Sequence, residues 1–187
     1  MNKESIIYKI VRFKNGYTNI KGDVKGETYL GVSRNEFPDE VDIWNKIDTL
    51  KYSFKEGVIP TYTKFNDFDL NNSIISFYDK TYYTPNKIEE FEDTRLSALY
   101  LYVICELGLN IADYLMRETF GVSATRVKDE INENPESVNM YYNAVQLYYM
   151  RKVEKNHTQE VFLKTWLSEL PTHAKGDGLG FGGHRLT

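Results

Sequence analysis

A mainly α-helical fold with one small irregular or β-containing lobe is what this sequence predicts, on three observations. Apolar residues recur at helical spacing over most of the chain. Four glycines and alternating polar positions gather between residues 16 and 33. Residues 174–187 hold five glycines and few apolar side chains, too few to bury a core of their own, so they read as a flexible tail.

Taken in order, Ile6, Ile7, Ile10 and Val11 predict a first amphipathic helix over residues 3–14, closed by Asn15-Gly16. Residues 16–33 form an irregular loop or short hairpin. Pro38 precedes a helix with the stripe Val41, Trp44, Ile47, Leu50 and Phe54, stopped at Gly57-Val58-Ile59-Pro60. A helix over Asn72–Tyr82 ends at Thr84-Pro85. Thr94–Leu107 is apolar almost all round, which marks a central buried helix, and Gly108 closes it. Ile111–Glu118 continues as a shorter helix. Ser123 is placed to cap a helix over Ala124–Ile131, and Asn134-Pro135 opens a long helix to Lys155. Thr158 caps a last helix ending at Leu170-Pro171. No internal repeat is present.

At 187 residues the chain is one domain, or one with a small appendage. A net charge of −4 argues against general binding to nucleic acid or to a membrane surface, which needs a basic face. Fifteen tyrosines and ten phenylalanines leave amphipathic rings over for a sugar-binding cleft or a protein interface. The single cysteine, Cys105, excludes an intramolecular disulfide and a cysteine-based zinc site, and its apolar neighbours predict a buried hydrophobe. His157, His173 and His184 show no metal-ligand spacing, and no glycine loop precedes a helix as a phosphate cradle would, so neither a metal nor a cofactor is expected. The first residues, MNKESIIYKIVRF, carry no apolar signal-peptide core, and no run of about 18 apolar residues spans a membrane. The expectation is a protein made in the cytoplasm, which would need carriage or lysis to leave the cell.

The stretch with most chemical content is Phe13–Ser33, FKNGYTNIKGDVKGETYLGVS. A helix that delivers one side chain into a glycine-rich loop presenting Asp and Thr is a way to build a glycosidase site. An acid at the helix end protonates the leaving oxygen, a carboxylate across the cleft stabilises the oxocarbenium-like transition state or activates water, and a hydroxyl positions that water. Asp23 and Thr28 lie nine and fourteen residues after position 14, which fits, but position 14 is Lys. Loop architecture alone also accounts for Asp23 and Thr28, since Asp accepts backbone N–H bonds in turns and Thr caps them. Lys14 also suits the C-terminal end of a helix dipole.

These residues resemble the entry motif of the N-acetylmuramidases of glycoside hydrolase family 108, in the lysozyme superfamily: E-G-G-Y, a spacer, then D-P-G-G-x-T-x-x-G-I-T. Gly16, Tyr17, Asp23, Gly26, Thr28 and Gly31 match it, whereas the family's catalytic Glu is Lys14 here. Phe77–Tyr83 is similar to the family's I-Y-x-x-x-Y-W element, Val103–Gly108 to A-V-N-x-G, Ala112–Met116 to A-x-x-x-L-Q, and Phe162–Leu167 to the closing F-x-x-G-W-L. The resemblance implies a lysozyme-like domain over residues 1–172, with a catalytic-type lobe over about 1–120, a helical peptidoglycan-binding half over 121–172, and a tail over 173–187.

It also implies lost chemistry. The family's Glu, Asn, Gln and Asp fall on Lys14, Glu106, Met116 and Phe120. A lysine does not replace the acid, because its charge opposes the oxocarbenium-like transition state. Two roles stand open for Glu106: an ion pair with Lys14 that plugs the old site, or a relocated acid opposite Asp23. Tyr17, Gly26, Glu27 and Tyr29 are the expected binding positions around this loop. The expected function is a catalytically inactive muramidase-like protein, structural or cell-wall-binding, most concretely a bacteriophage virion component. Its tail would dock on other virion or assembly proteins through Leu179, Phe181 and Leu186, and peptidoglycan would be a further partner. The alternative is an active muramidase using Glu106 or Glu27 as acid with Asp23; a third reading is an inhibitor that uses the filled cleft against a partner protein.

Overall fold

The structure, a computed structural model, describes residues 2–121, 128–172 and 180–181. It is mainly helical and forms two compact units, Asn2–Thr81 and Tyr82–Thr187. The division falls at Thr81/Tyr82, and the helices on either side of Gly108 pack with the long helix that follows. No helix among the described residues is long and apolar enough to cross a membrane.

In the first unit, helix α1 (Lys3–Val11) starts where the Asn2 side chain accepts a hydrogen bond from the Ser5 N–H at 2.9 Å. It buries Ile6, Ile7, Ile10 and Val11, the predicted face, but ends three residues early, so Lys14 sits in the turn beyond it. A hairpin follows, β1 (Thr28–Tyr29) against β2 (Val32–Ser33), with Thr28 opposite Ser33 and Tyr29 opposite Val32. Its two-residue turn, Leu30-Gly31, has φ of +46° and +85°, the signs that a tight hairpin turn matching the strand twist demands. Leucine is strained there. Burial of its side chain and a 2.8 Å hydrogen bond from the Tyr78 hydroxyl to its carbonyl hold it in place.

Helix α2 (Val41–Lys51) buries Ile43, Trp44 and Ile47 and leaves Val41 exposed, so its inner stripe is rotated from the predicted one. Helix α3 (Phe68–Tyr78) begins four residues before the predicted start, because Asp67 caps it by accepting from the Leu70 N–H at 2.9 Å. It packs on α1 and α2 and continues into a π-helical turn, Asp79–Tyr83.

The second unit is a helical core. Helix α4 (Thr94–Leu107), capped by Asp93, is buried without interruption from Leu96 to Ile104, as its apolar circumference predicts. Gly108, at φ +87°, turns the chain into α5 (Leu109–Phe120). Helix α6 (Lys128–Glu133) leads to α7 (Ser137–Lys155), and α4, α5 and α7 pack on one another. Tyrosines fill much of this core. Tyr141 is fully buried and donates to the Ala112 carbonyl at 3.2 Å, and burial pushes the Tyr100 hydroxyl up to about 12. Helix α8 (Glu160–Glu169) follows a 3₁₀ turn capped by Asn156 rather than Thr158, and its Trp166 ring stacks on Tyr149 at 5.2 Å. Strand β3 (Pro171–Thr172) pairs antiparallel with β4 (Gly180–Phe181), the described part of the glycine-rich tail. Ser123 and the rest of 173–187 lie outside the described residues.

Candidate functional site

The glycine-rich loop is built onto its own backbone. Thr18 and Thr28 exchange two backbone hydrogen bonds at 2.8 Å, the Ser33 hydroxyl donates to the Lys25 carbonyl at 2.7 Å, and Asn35 Nδ2 donates to the Val24 carbonyl at 3.1 Å. Gly26, at φ +62°, lies so close under Asn35 that a Cβ would stand 2.6 Å from Nδ2. Asp23 is exposed, and its Oδ1 accepts from the Lys25 N–H at 2.9 Å, an Asx turn. The Thr28 hydroxyl donates to the Gly26 carbonyl at 3.2 Å. Both residues therefore make the loop contacts that their types favour in turns.

Lys14 reaches the hairpin tip. A Cβ on Gly31 would lie 3.4 Å from Lys14 Cδ and 2.5 Å from the Tyr78 hydroxyl, so the lysine stem lies along the bare glycine backbone. Position 14 and Gly31 are thus brought together.

Behind the loop lies a closed ring of charges. Glu27 is 9% exposed. Its Oε1 accepts from the Tyr17 hydroxyl at 2.7 Å and from Lys51 Nζ at 2.7 Å, and its Oε2 from Arg34 Nη1 at 2.9 Å. Asp48 closes the ring, with Oδ2 on Arg34 Nη2 at 2.9 Å and Oδ1 on Lys51 Nζ at 2.7 Å. The Arg34 guanidinium also lies 4.8 Å from the Trp44 ring and donates to the Trp44 carbonyl at 3.1 Å. Three pieces of local structure assemble the ring. The hairpin register extends one pair outward to bring Glu27 beside Arg34, whose N–H donates to the Glu27 carbonyl at 2.8 Å. Asp48 and Lys51 are one turn apart on α2, and Tyr17 is anchored by its N–H to the Thr63 carbonyl at 2.8 Å.

The electrostatics follow from this packing. Burial raises the Tyr17 hydroxyl, and the bond to Glu27 adds to it. Burial pulls the Lys51 ammonium down, but its bonds to Asp48 and Glu27 prevail and hold it above the ordinary 10.5. Burial likewise opposes ionisation of Asp48, yet Arg34 and Lys51 hold its carboxyl below the ordinary 3.8.

No family model, curated protein or solved structure matches this chain. The site is therefore read from its own geometry. Of the expected residues, Tyr17 and Glu27 belong to one closed structure with Arg34, Asp48 and Lys51, which the sequence reading missed. Tyr29 is fully buried, its hydroxyl accepting from the Phe65 N–H at 3.1 Å. Met116 is fully buried as well. Glu106 belongs to the second unit and is exposed in the last turn of α4, beyond the buried stretch that ends at Ile104. Cys105 beside it is half-buried. Among the described residues, no group of three or more His, Cys, Asp or Glu side chains is arranged to hold a metal ion.

The ring gives the fold a signed pH dependence. A carboxyl held below 3.8 contributes stability that is full above that value and lost as pH falls through its folded value. Stability to urea is thus expected to decline below about pH 4. Asp48→Asn is expected to make that decline shallower without abolishing it, because Asp67 and Asp93 are also held low, by the Leu70 N–H and by Arg95. An unchanged acid slope in Asp48→Asn would show that the ring adds nothing beyond exposed pairs.

Proposed function

We propose that this chain is a non-catalytic structural or cell-wall-binding protein on a muramidase-like scaffold, most concretely a component of a bacteriophage virion. The observation that carries the reading is the occupied state of the Glu27 carboxylate. A glycosidase acid needs an O–H directed at the leaving oxygen, and its partner carboxylate must face the sugar or a water. Both oxygens of Glu27 instead accept from Tyr17, Lys51 and Arg34, and Asp23 is turned onto the Lys25 N–H. Position 14, where the motif has its acid, presents a lysine stem to the hairpin tip. A cation there opposes the positive charge that develops on the sugar ring. What the loop retains is shape: the glycines, the hairpin and the rings packed around it.

Purified protein incubated with peptidoglycan is expected to release no reducing ends above the blank over hours. Co-sedimentation with the same material separates a cell-wall-binding role from a purely structural one. Release of muropeptides that disappears in Asp23→Ala would overturn the reading in favour of hydrolysis with an acid relocated to Glu106.

A further inference from the structure

Among its described residues the second unit carries an open groove. It encloses about 730 Å³ between α5 and α7, within the range of built binding sites. Tyr114 and Leu115 on α5, with Met140, Ala144, Leu147 and Tyr148 on α7, give it an apolar floor. Tyr114 and Leu147 are each 49% exposed and Met140 is 39% exposed, although all three are large apolar side chains. One stretch of the wall is charged. Arg151, Lys152 and Lys155 line it against the single carboxyl group of Glu118, so the lining is cationic in a chain whose net charge is −4. Among the described residues neither Arg151 nor Lys155 makes an ion pair, and the Lys152 ammonium lies 4.9 Å from the Trp166 ring.

We propose that this groove is the docking site for an amphipathic helix of a partner protein, apolar along one face and acidic at one end. The dimensions and the charge both point to that occupant. On α7 the lining runs from Met140 to Lys155 in steps of three and four, a track about 22 Å long, which a helix of about 15 residues covers. Apolar anchors at i, i+3 or i+4 and i+7 on such a helix meet a floor of Tyr, Leu and Met side chains, types favoured at helix-in-groove interfaces. Its acidic end then supplies the counter-charge that Arg151 and Lys155 lack. A second copy related by two-fold symmetry would set three cations against three, which disfavours self-association through this face. A bilayer is flat, and these apolar residues line a concavity rather than a crest. The proposal is independent of the muramidase-like reading, because it rests on α5 and α7 alone.

The test uses the full chain and labelled helical peptides of about 16 residues with leucines at i, i+3, i+7 and i+10. Two versions carry three glutamates at the N-terminal or the C-terminal end, and a third carries lysines there instead. Fluorescence anisotropy is expected to show saturable binding of one glutamate peptide and at least about tenfold weaker binding of the lysine peptide. Leu147→Asp is expected to weaken the glutamate peptide about tenfold, and Arg151→Glu with Lys155→Glu to reverse the charge preference. Both sites are on the surface, so unchanged circular dichroism separates lost binding from lost folding. Equal affinity for both charge types, or no saturable binding of any peptide, would overturn the proposal. So would self-association that Leu147→Asp abolishes, or binding to vesicles of 30% anionic lipid with the same dependence on Arg151 and Lys155 when no peptide binds.

Discussion

Glu27→Ala is expected to lower stability by about 3 kcal/mol, measured by urea unfolding at neutral pH. The substitution removes one acceptor shared by three donors and leaves the Arg34 and Lys51 charges facing each other with Asp48 alone between them. Removing one partner of a buried pair costs about 3–5 kcal/mol because the other charge stays desolvated. Arg34 and Lys51 are 30% and 27% exposed, so water relieves part of that cost and the lower end applies. Glu27→Gln keeps an acceptor for Tyr17 and is expected to lose less than the alanine. A loss below about 0.5 kcal/mol in Glu27→Ala would place the ring with ordinary surface ion pairs. The combined change Tyr17→Phe, Glu27→Leu, Arg34→Met, Asp48→Ala and Lys51→Met is expected to recover much of the loss, since apolar replacement of a whole buried network is often neutral or stabilising.

Gly16→Ala is the second large effect, expected at about 3 kcal/mol in the same measurement. A Cβ at this position would sit 2.4 Å from the Thr63 carbonyl oxygen and 2.5 Å from that of Tyr62. Both are backbone atoms, so no side-chain rotation relieves the overlap. The chain around residues 60–63 has to move away, and that motion pulls on the Tyr17 N–H to Thr63 bond at 2.8 Å and the Tyr62 N–H to Tyr17 bond at 2.6 Å. The same displacement shifts Tyr17 away from Glu27, so the two variants are expected to couple when combined. A Gly16→Ala protein within about 1 kcal/mol of the parent would mean that this segment yields freely.

Much of the fold is legible in the sequence where local signals are strong. The continuous apolar circumference of α4 and the glycine after it give both ends of that helix, and the apolar face of α1 is the buried one. Boundaries fail where a cap or a neighbour decides them. Asp67 starts α3 early, α1 stops at Val11 and passes into a turn in which the Lys14 N–H donates to the Val11 carbonyl, and Gly16 serves close approach rather than a left-handed cap. At the site, the ring behind the hairpin depends on contacts between distant segments. One signal for it was available: a two-residue Leu30-Gly31 turn fixes the register, and counting outward puts Glu27 opposite Arg34. Nothing in the linear order announces that Lys51 and Asp48 complete the circle, because that depends on how α2 lies against the hairpin. Glu106 is exposed near the end of α4, an exposure that the apolar run before it does not announce.

The chain has two tryptophans, and they fall one to each unit. Trp44 donates its indole N–H to the Phe37 carbonyl at 2.8 Å with the Arg34 guanidinium over its ring, while Trp166 is stacked between Phe162 and Tyr149. Each indole is therefore a resident optical probe of its own unit. A Trp166→Phe protein emits only from the charge-ring unit and a Trp44→Phe protein only from the tyrosine-cored one, so a melt of each resolves whether the two halves unfold together or in turn.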